Sequence, residues 1–137
     1  MRAMKSEVGY VVPMMHVMDV ERSVKFYEML GFTAAEVLRH DDGKAFWAYL
    51  ACHRGRPEKR TTENESAAVM VTQAEHPVDA TVQGALLYMY SPDLVGLSEK
   101  LVAGGVKVSE IVPRFYMPKG EMELTDPDGY CVIIGAV

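Results

Sequence analysis

His16 is the one imidazole in an otherwise apolar run, PMMHVMD at residues 13–19, which stops at an acid. A histidine in that setting has three readings. It can bind a metal through a neutral ring nitrogen, contact another ligand, or sit in the interior with its polar tip satisfied. Three further pairs alternate in short segments: Trp47 and Tyr49 in KAFWAYLAC, Tyr88 and Tyr90 in GALLYMY, and Glu121 and Glu123 in EMELT. If these segments are strands, alternation puts each pair on one face. The aromatic pairs then either stack on a planar ligand or pack in a core. The carboxylates either face solvent or pair with a cation, whether a ligand or Arg114. The ten methionines suit a plastic cavity as well as core gaps. His40, beside Asp41 and Asp42, reads as a turn residue.

The elements needed to hold these side chains can be read along the chain. Residues 8–18 have the composition of a strand buried on both faces. Asp19 then caps a helix whose apolar stripe, Val20, Val24, Tyr27 and Leu30, ends at Gly31. A strand from Thr33 to His40 turns at Asp41-Asp42-Gly43 into residues 44–52. The polar stretch 53–66 reads as an exposed loop, and AAVMVTQ at 67–73 as the next strand. The pattern then restarts. Residues 84–90 form a strand, Ser91-Pro92-Asp93 opens a helix with stripe Leu94, Leu97 and Leu101, and Gly104-Gly105 closes it. Asp19 and Asp93, Gly31 and Gly105, and Glu36 and Glu110 are each 74 residues apart. The chain is an internal repeat of strand, helix and three strands: module 1 at about 8–73, a linker at about 74–83, and module 2 at about 84–137.

The same offset maps His16 onto Tyr90 and Met14 onto Tyr88. Val12, Met14 and His16 share one face of the first strand, and Leu86, Tyr88 and Tyr90 share the equivalent face of its counterpart. The opposite faces are wholly apolar. Helices are expected to cover the apolar faces, leaving the others to line a concavity.

Composition bounds the setting. At 137 residues the chain forms one unit able to bury a sizeable core. With 19 acidic against 14 basic residues its net charge is -5, which gives no footprint for nucleic acid or an anionic membrane. Cys52 and Cys131 have no metal-type spacing and read as buried small hydrophobes in a reducing compartment. The first residues, MRAMKSEVGYVV, lack the pattern of a secretory signal, and no apolar run is long enough to span a bilayer. A cytoplasmic protein is expected.

The repeat, the stretch DVERSVKFYEMLGF at 19–32 and LTDPDGYCVII at 124–134 resemble the vicinal oxygen chelate superfamily, which includes glyoxalase I, extradiol dioxygenases and bleomycin-resistance proteins. The resemblance implies an α+β fold in which two βαβββ modules form an open, curved mixed β-sheet. It also implies pairing of chains into a homodimer. Metal-using members place ligands on the first and last strands of each module. Those positions correspond here to Val12, Met70, Leu86 and Ile133. None offers a good donor to a hard metal. The expected function is therefore metal-free and cofactor-free binding of a small planar or apolar molecule, as in bleomycin-resistance proteins. Its candidate contacts are His16, Trp47, Tyr49, Tyr88, Tyr90, Glu121 and Glu123. The alternative is a metal-dependent lyase, isomerase or dioxygenase with displaced ligands, in which His16 binds metal or acts as a general base. Purified protein should lack stoichiometric zinc, nickel, manganese or iron by elemental analysis, and a chelator should leave its melting temperature unchanged. One tightly bound ion per chain overturns this assignment.

Overall fold

A computed structural model describes residues 6–54 and 64–137. The first module comprises β1 (Met14–Val17), α1 (Val20–Met29), β2 (Thr33–Arg39), β3 (Ala45–His53) and β4 (Glu65–Gln73). After a short 3-10 turn at Ala80–Val82 come β5 (Leu87–Ser91), α2 (Leu94–Ala103), β6 (Val112–Arg114), β7 (Met117–Thr125) and β8 (Cys131–Ala136). The strands form two mixed four-stranded sheets, β1-β4-β3-β2 and β5-β8-β7-β6. In each, the first strand runs parallel to the last and the other pairs are antiparallel. This is the expected α+β architecture, built as two open sheets.

The repeat is closest in the helices. Residues 20–29 and 94–103 are separated by the same offset of 74. Asp19 and Asp93 each cap their helix by accepting the backbone N–H three residues on, from Arg22 and Gly96. Gly31 and Gly105 follow the two helices with φ of +101° and +84°, a conformation that favours glycine. The repeat fails at β6, which is only three residues long, with a separate bridge between Val108 and Leu124.

Several boundaries differ from the sequence reading. The first strand starts at Met14 rather than residue 8, and only one of its faces is buried. It lies at a sheet edge, so only β4 pairs with it. The strand expected at 84 begins at Leu87 because the Gln83 side chain binds both backbone groups of Ala85 and diverts them from the ladder. His53, Glu65 and Ser66 belong to strands, with His53 opposite Glu65. Of the rest of the expected loop, the Arg54 backbone N–H donates to the Asn64 carbonyl at 2.7 Å, and residues 55–63 lie outside the described residues. Cys52 and Cys131 are free but only partly buried.

Helix α1 covers β2, β3 and β4, and α2 lies against β8. One core cluster runs through both modules, with Met15, Val17, Leu50 and Val71 from the first and Leu101, Met122, Val132 and Ile134 from the second. Each fully buried aliphatic side chain of this kind stabilises the fold by about 1.5–3 kcal/mol.

The modules are also latched by polar groups. Asp128, its side chain fully buried, accepts the Met18 backbone N–H at 2.8 Å, the Ser23 hydroxyl at 3.3 Å and the Arg22 guanidinium at 3.3 Å. Tyr27 donates to Asp126 at 2.8 Å, and Tyr130 donates to the His16 backbone carbonyl at 2.9 Å. Burial, more than its hydrogen bonds, sets the Asp126 carboxyl above its usual range. Burial and then the facing Asp126 carboxylate push the Tyr27 hydroxyl upward as well. Tyr27→Phe should lower stability by about 1–3 kcal/mol in urea unfolding, because it strips a donor from a buried carboxylate. An unchanged midpoint would show that the latch is replaceable by solvent.

Candidate functional site

Side chains alternate along each strand, so the faces turned away from the helices can be assembled row by row. Across the first sheet, register aligns His16, Thr72, Trp47 and Leu38 in one row and Met14, Met70, Tyr49 and Glu36 in the next. Met14, His16 and Leu38 are exposed, whereas Trp47 and Tyr49 are partly covered, their rings 6.5 Å apart. The Tyr49 hydroxyl donates to Glu65 at 2.8 Å, and burial together with that bond raises its pKa. His16 is not a core histidine. Its imidazole is exposed and makes no hydrogen bond among the described residues.

Across the second sheet the rows are Tyr90, Gly135, Glu121 and Val112, and then Tyr88, Ile133 and Glu123. Tyr90 is 63% exposed, and its ring lies 5.4 Å from that of Tyr88. The sequence left Glu121 open to a solvated-face reading; the structure buries it to 7% exposure. Its carboxylate accepts the Tyr88 and Tyr116 hydroxyls, each at 2.6 Å, and the Arg114 Nε–H at 3.3 Å. The hydrogen bonds from Tyr116 and Tyr88 hold the Glu121 pKa below its ordinary 4.5, outweighing burial. The same contacts push Tyr88 up to about 12 and raise Tyr116. Glu123, two residues on, is exposed, with the Cys131 thiol 3.3 Å away.

Gly135 makes this arrangement possible. A Cβ there would lie 2.7 Å from the Met117 methyl and 3.1 Å from the Tyr88 hydroxyl. Without one, Tyr88 crosses β8 to reach Glu121. Tyr116 was missed by sequence reading because it lies on the tight connection between β6 and β7. Its only signal was the adjacent pair Phe115-Tyr116, of which Phe115 is 95% exposed.

The predicted contacts thus form two groups on two sheets. His16, Trp47 and Tyr49 share one face, and Tyr88, Tyr90, Glu121 and Glu123 share the other. Tyr88 and Tyr90 also border a cleft of about 510 Å³ that is lined from both modules, by Leu30, Phe32 and Cys52 of the first and Leu97 of the second. That volume suits a small-molecule site.

Residues 9–134 match the sequence profile of the Glyoxalase/Bleomycin resistance protein/Dioxygenase superfamily. The chain belongs to this superfamily. Among solved structures it is similar to TnmS3, an antibiotic binding protein from Streptomyces sp. CB03234, with a TM-score of 0.68 and 18% identity over 96% of this chain and 98% of that one. A glyoxalase-related enzyme from Clostridium phytofermentans gives 0.69 and 20% over 95% and 98%. A bleomycin-binding protein complexed with bleomycin gives 0.63 and 16% over 95% and 99%. At these identities the likeness is one of fold. No curated protein sequence matches the chain.

Superfamily enzymes raise the question of a metal, and the donor set here does not fit one. Register puts the Met70 thioether between Met14 and Tyr49, and Ile133 between Tyr88 and Glu123. Val12 and Leu86 supply only hydrocarbon. The described residues contain no group of three or more His, Cys, Asp or Glu side chains placed to hold an ion.

Because the folded-state pKa of Glu121 is lowered, its carboxylate contributes stability above about 4.5 that is lost as pH falls through the folded value. A carboxyl-carbon NMR titration should place its midpoint below 4.5, and Tyr88→Phe should move that midpoint upward. An unmoved midpoint would mean that Tyr88 does not hold the carboxylate.

Proposed function

We propose that the chain is a metal-free small-molecule binding protein of the bleomycin-resistance type, which works as a homodimer to sequester a planar, largely apolar compound such as an antibiotic. One observation carries this reading: aliphatic groups and a thioether stand at the positions where catalysts of the superfamily need metal donors, with aromatic rings beside them on the open sheet faces. Rings supply stacking area at little entropic cost, and methionine adapts to irregular shapes. The few polar tips, His16, Tyr88 and Tyr90, fix orientation. The antibiotic-binding and bleomycin-binding neighbours support the same class of ligand.

Pairing follows from what one chain leaves uncovered. Met14, Leu38, Tyr90 and Phe115 are exposed apolar or aromatic groups, and β1 and β5 are edge strands. Such surface favours association of copies.

Titrating the protein with bleomycin and a panel of planar aromatic compounds should perturb the fluorescence of Trp47, the sole tryptophan, and raise the melting temperature. His16→Ala should weaken binding of the responding compound by about 1–3 kcal/mol with a smaller effect on stability. Light scattering should give a dimer at micromolar concentration. Absence of any response across the panel, or a monomer, overturns the corresponding part.

A further inference from the structure

The polarity of the hydrogen bonds around Glu121 restricts what can bind beside it. Because the Glu121 carboxylate is ionised, it only accepts. The short bonds at 2.6 Å therefore commit the hydroxyl protons of both Tyr88 and Tyr116 to Glu121. A phenol whose proton is committed presents only lone pairs to a ligand. The Tyr88 oxygen, which binds Glu121 Oε2, is thus an acceptor facing the open side of the sheet. Arg114 and Tyr116 share the other oxygen, Oε1.

The charges agree with the proton count. Glu36, Glu65, Glu121 and Glu123 belong to the open faces through register or through their tyrosine contacts, and Arg114 is paired with Glu121. Glu123 lies on the same face, but its carboxylate accepts from the Cys131 thiol, on the side away from Glu121. Tyr90 presents an exposed ring 5.4 Å from Tyr88, in position to take a cation on its face.

We propose that the corner formed by Tyr88, Tyr90 and Glu121 selects its ligand through a protonated amine. The ammonium donates to the Tyr88 oxygen and rests against the Tyr90 ring, beside the Glu121 carboxylate. Glu121 acts as a positioning residue, fixing the direction of the tyrosine hydroxyl. This rests on the small-molecule binding reading above and specifies the ligand's polar end.

Three probes of matched shape test it at pH 7 by calorimetry: 1-naphthylmethylamine, 1-naphthalenemethanol and 1-naphthoic acid. The amine should bind about tenfold or more tightly than the alcohol, and the acid should not bind measurably. Glu121→Gln lets the side-chain amide donate to a tyrosine oxygen and frees a hydroxyl proton, so the preference for amine over alcohol should collapse. Tyr90→Leu changes an exposed side chain and should cut the preference several-fold without affecting folding, which keeps the test open if Glu121→Gln is unstable. Equal binding of amine and alcohol, or a preference unchanged in Tyr90→Leu, overturns this inference and leaves the binding reading intact. No binding of any probe overturns both.

Discussion

Tyr27 is fully buried, and its hydroxyl proton meets the Asp126 carboxylate at 2.8 Å. Around that bond the turn Asp126-Pro127-Asp128-Gly129 organises itself and then the neighbouring module. One Asp126 oxygen takes the backbone N–H groups of Asp128 and Tyr130, and the other takes Tyr27. Asp128 in turn satisfies the Met18 N–H just before α1. A buried carboxylate is tolerable only when its lone pairs are occupied, so each of these contacts requires the others. Gly129, with φ of +100°, lets the linker pass close over the turn: a Cβ would lie 3.0 Å from the Thr81 methyl. The relative placement of the sheets depends on this latch and on the shared core behind it.

With helices on one side of each sheet, the other side is left to be defined by strand alternation. On the first sheet the result is an exposed histidine among methionine, leucine and aromatic side chains. On the second it is a tyrosine and glutamate network. The modules are repeats in backbone, but their open faces have diverged: by the offset of 74, Trp47 stands in the first sheet where Glu121 stands in the second, and Tyr49 where Glu123 stands. An aromatic pair on one sheet thus matches a carboxylate pair on the other. A ligand bridging two such faces would meet stacking surface on one side and acceptors on the other.

The superfamily fold hosts both catalysis and plain binding, so chemistry has to be argued from side chains. Metal-dependent catalysis needs several hard donors converging on one point. Here the corresponding positions carry hydrocarbon and a thioether, and of the nearby carboxylates Glu65 and Glu121 accept tyrosine hydroxyls.

Much of the architecture was legible in the sequence because it rests on local rules. Asp19 and Asp93 as caps, Gly31 and Gly105 as helix ends, the Asp-Gly turn at 42–43 and the offset of 74 all state backbone requirements that few residue types meet. Alternation likewise predicted which faces carry His16, Tyr88 and Tyr90. The extent of strands was less legible: pairing at an edge and the capture of Ala85 by Gln83 depend on which partners are present. Glu121 shows the limit most clearly. In sequence it is one of two alternating glutamates with a solvated face as a natural reading. Only the tertiary structure brings Tyr88 over Gly135, Tyr116 from a hairpin tip and Arg114 from β6 onto its two oxygens. Period and turn chemistry are written residue by residue. The burial of a charge is decided by groups that are distant along the chain and meet only once the sheets are formed.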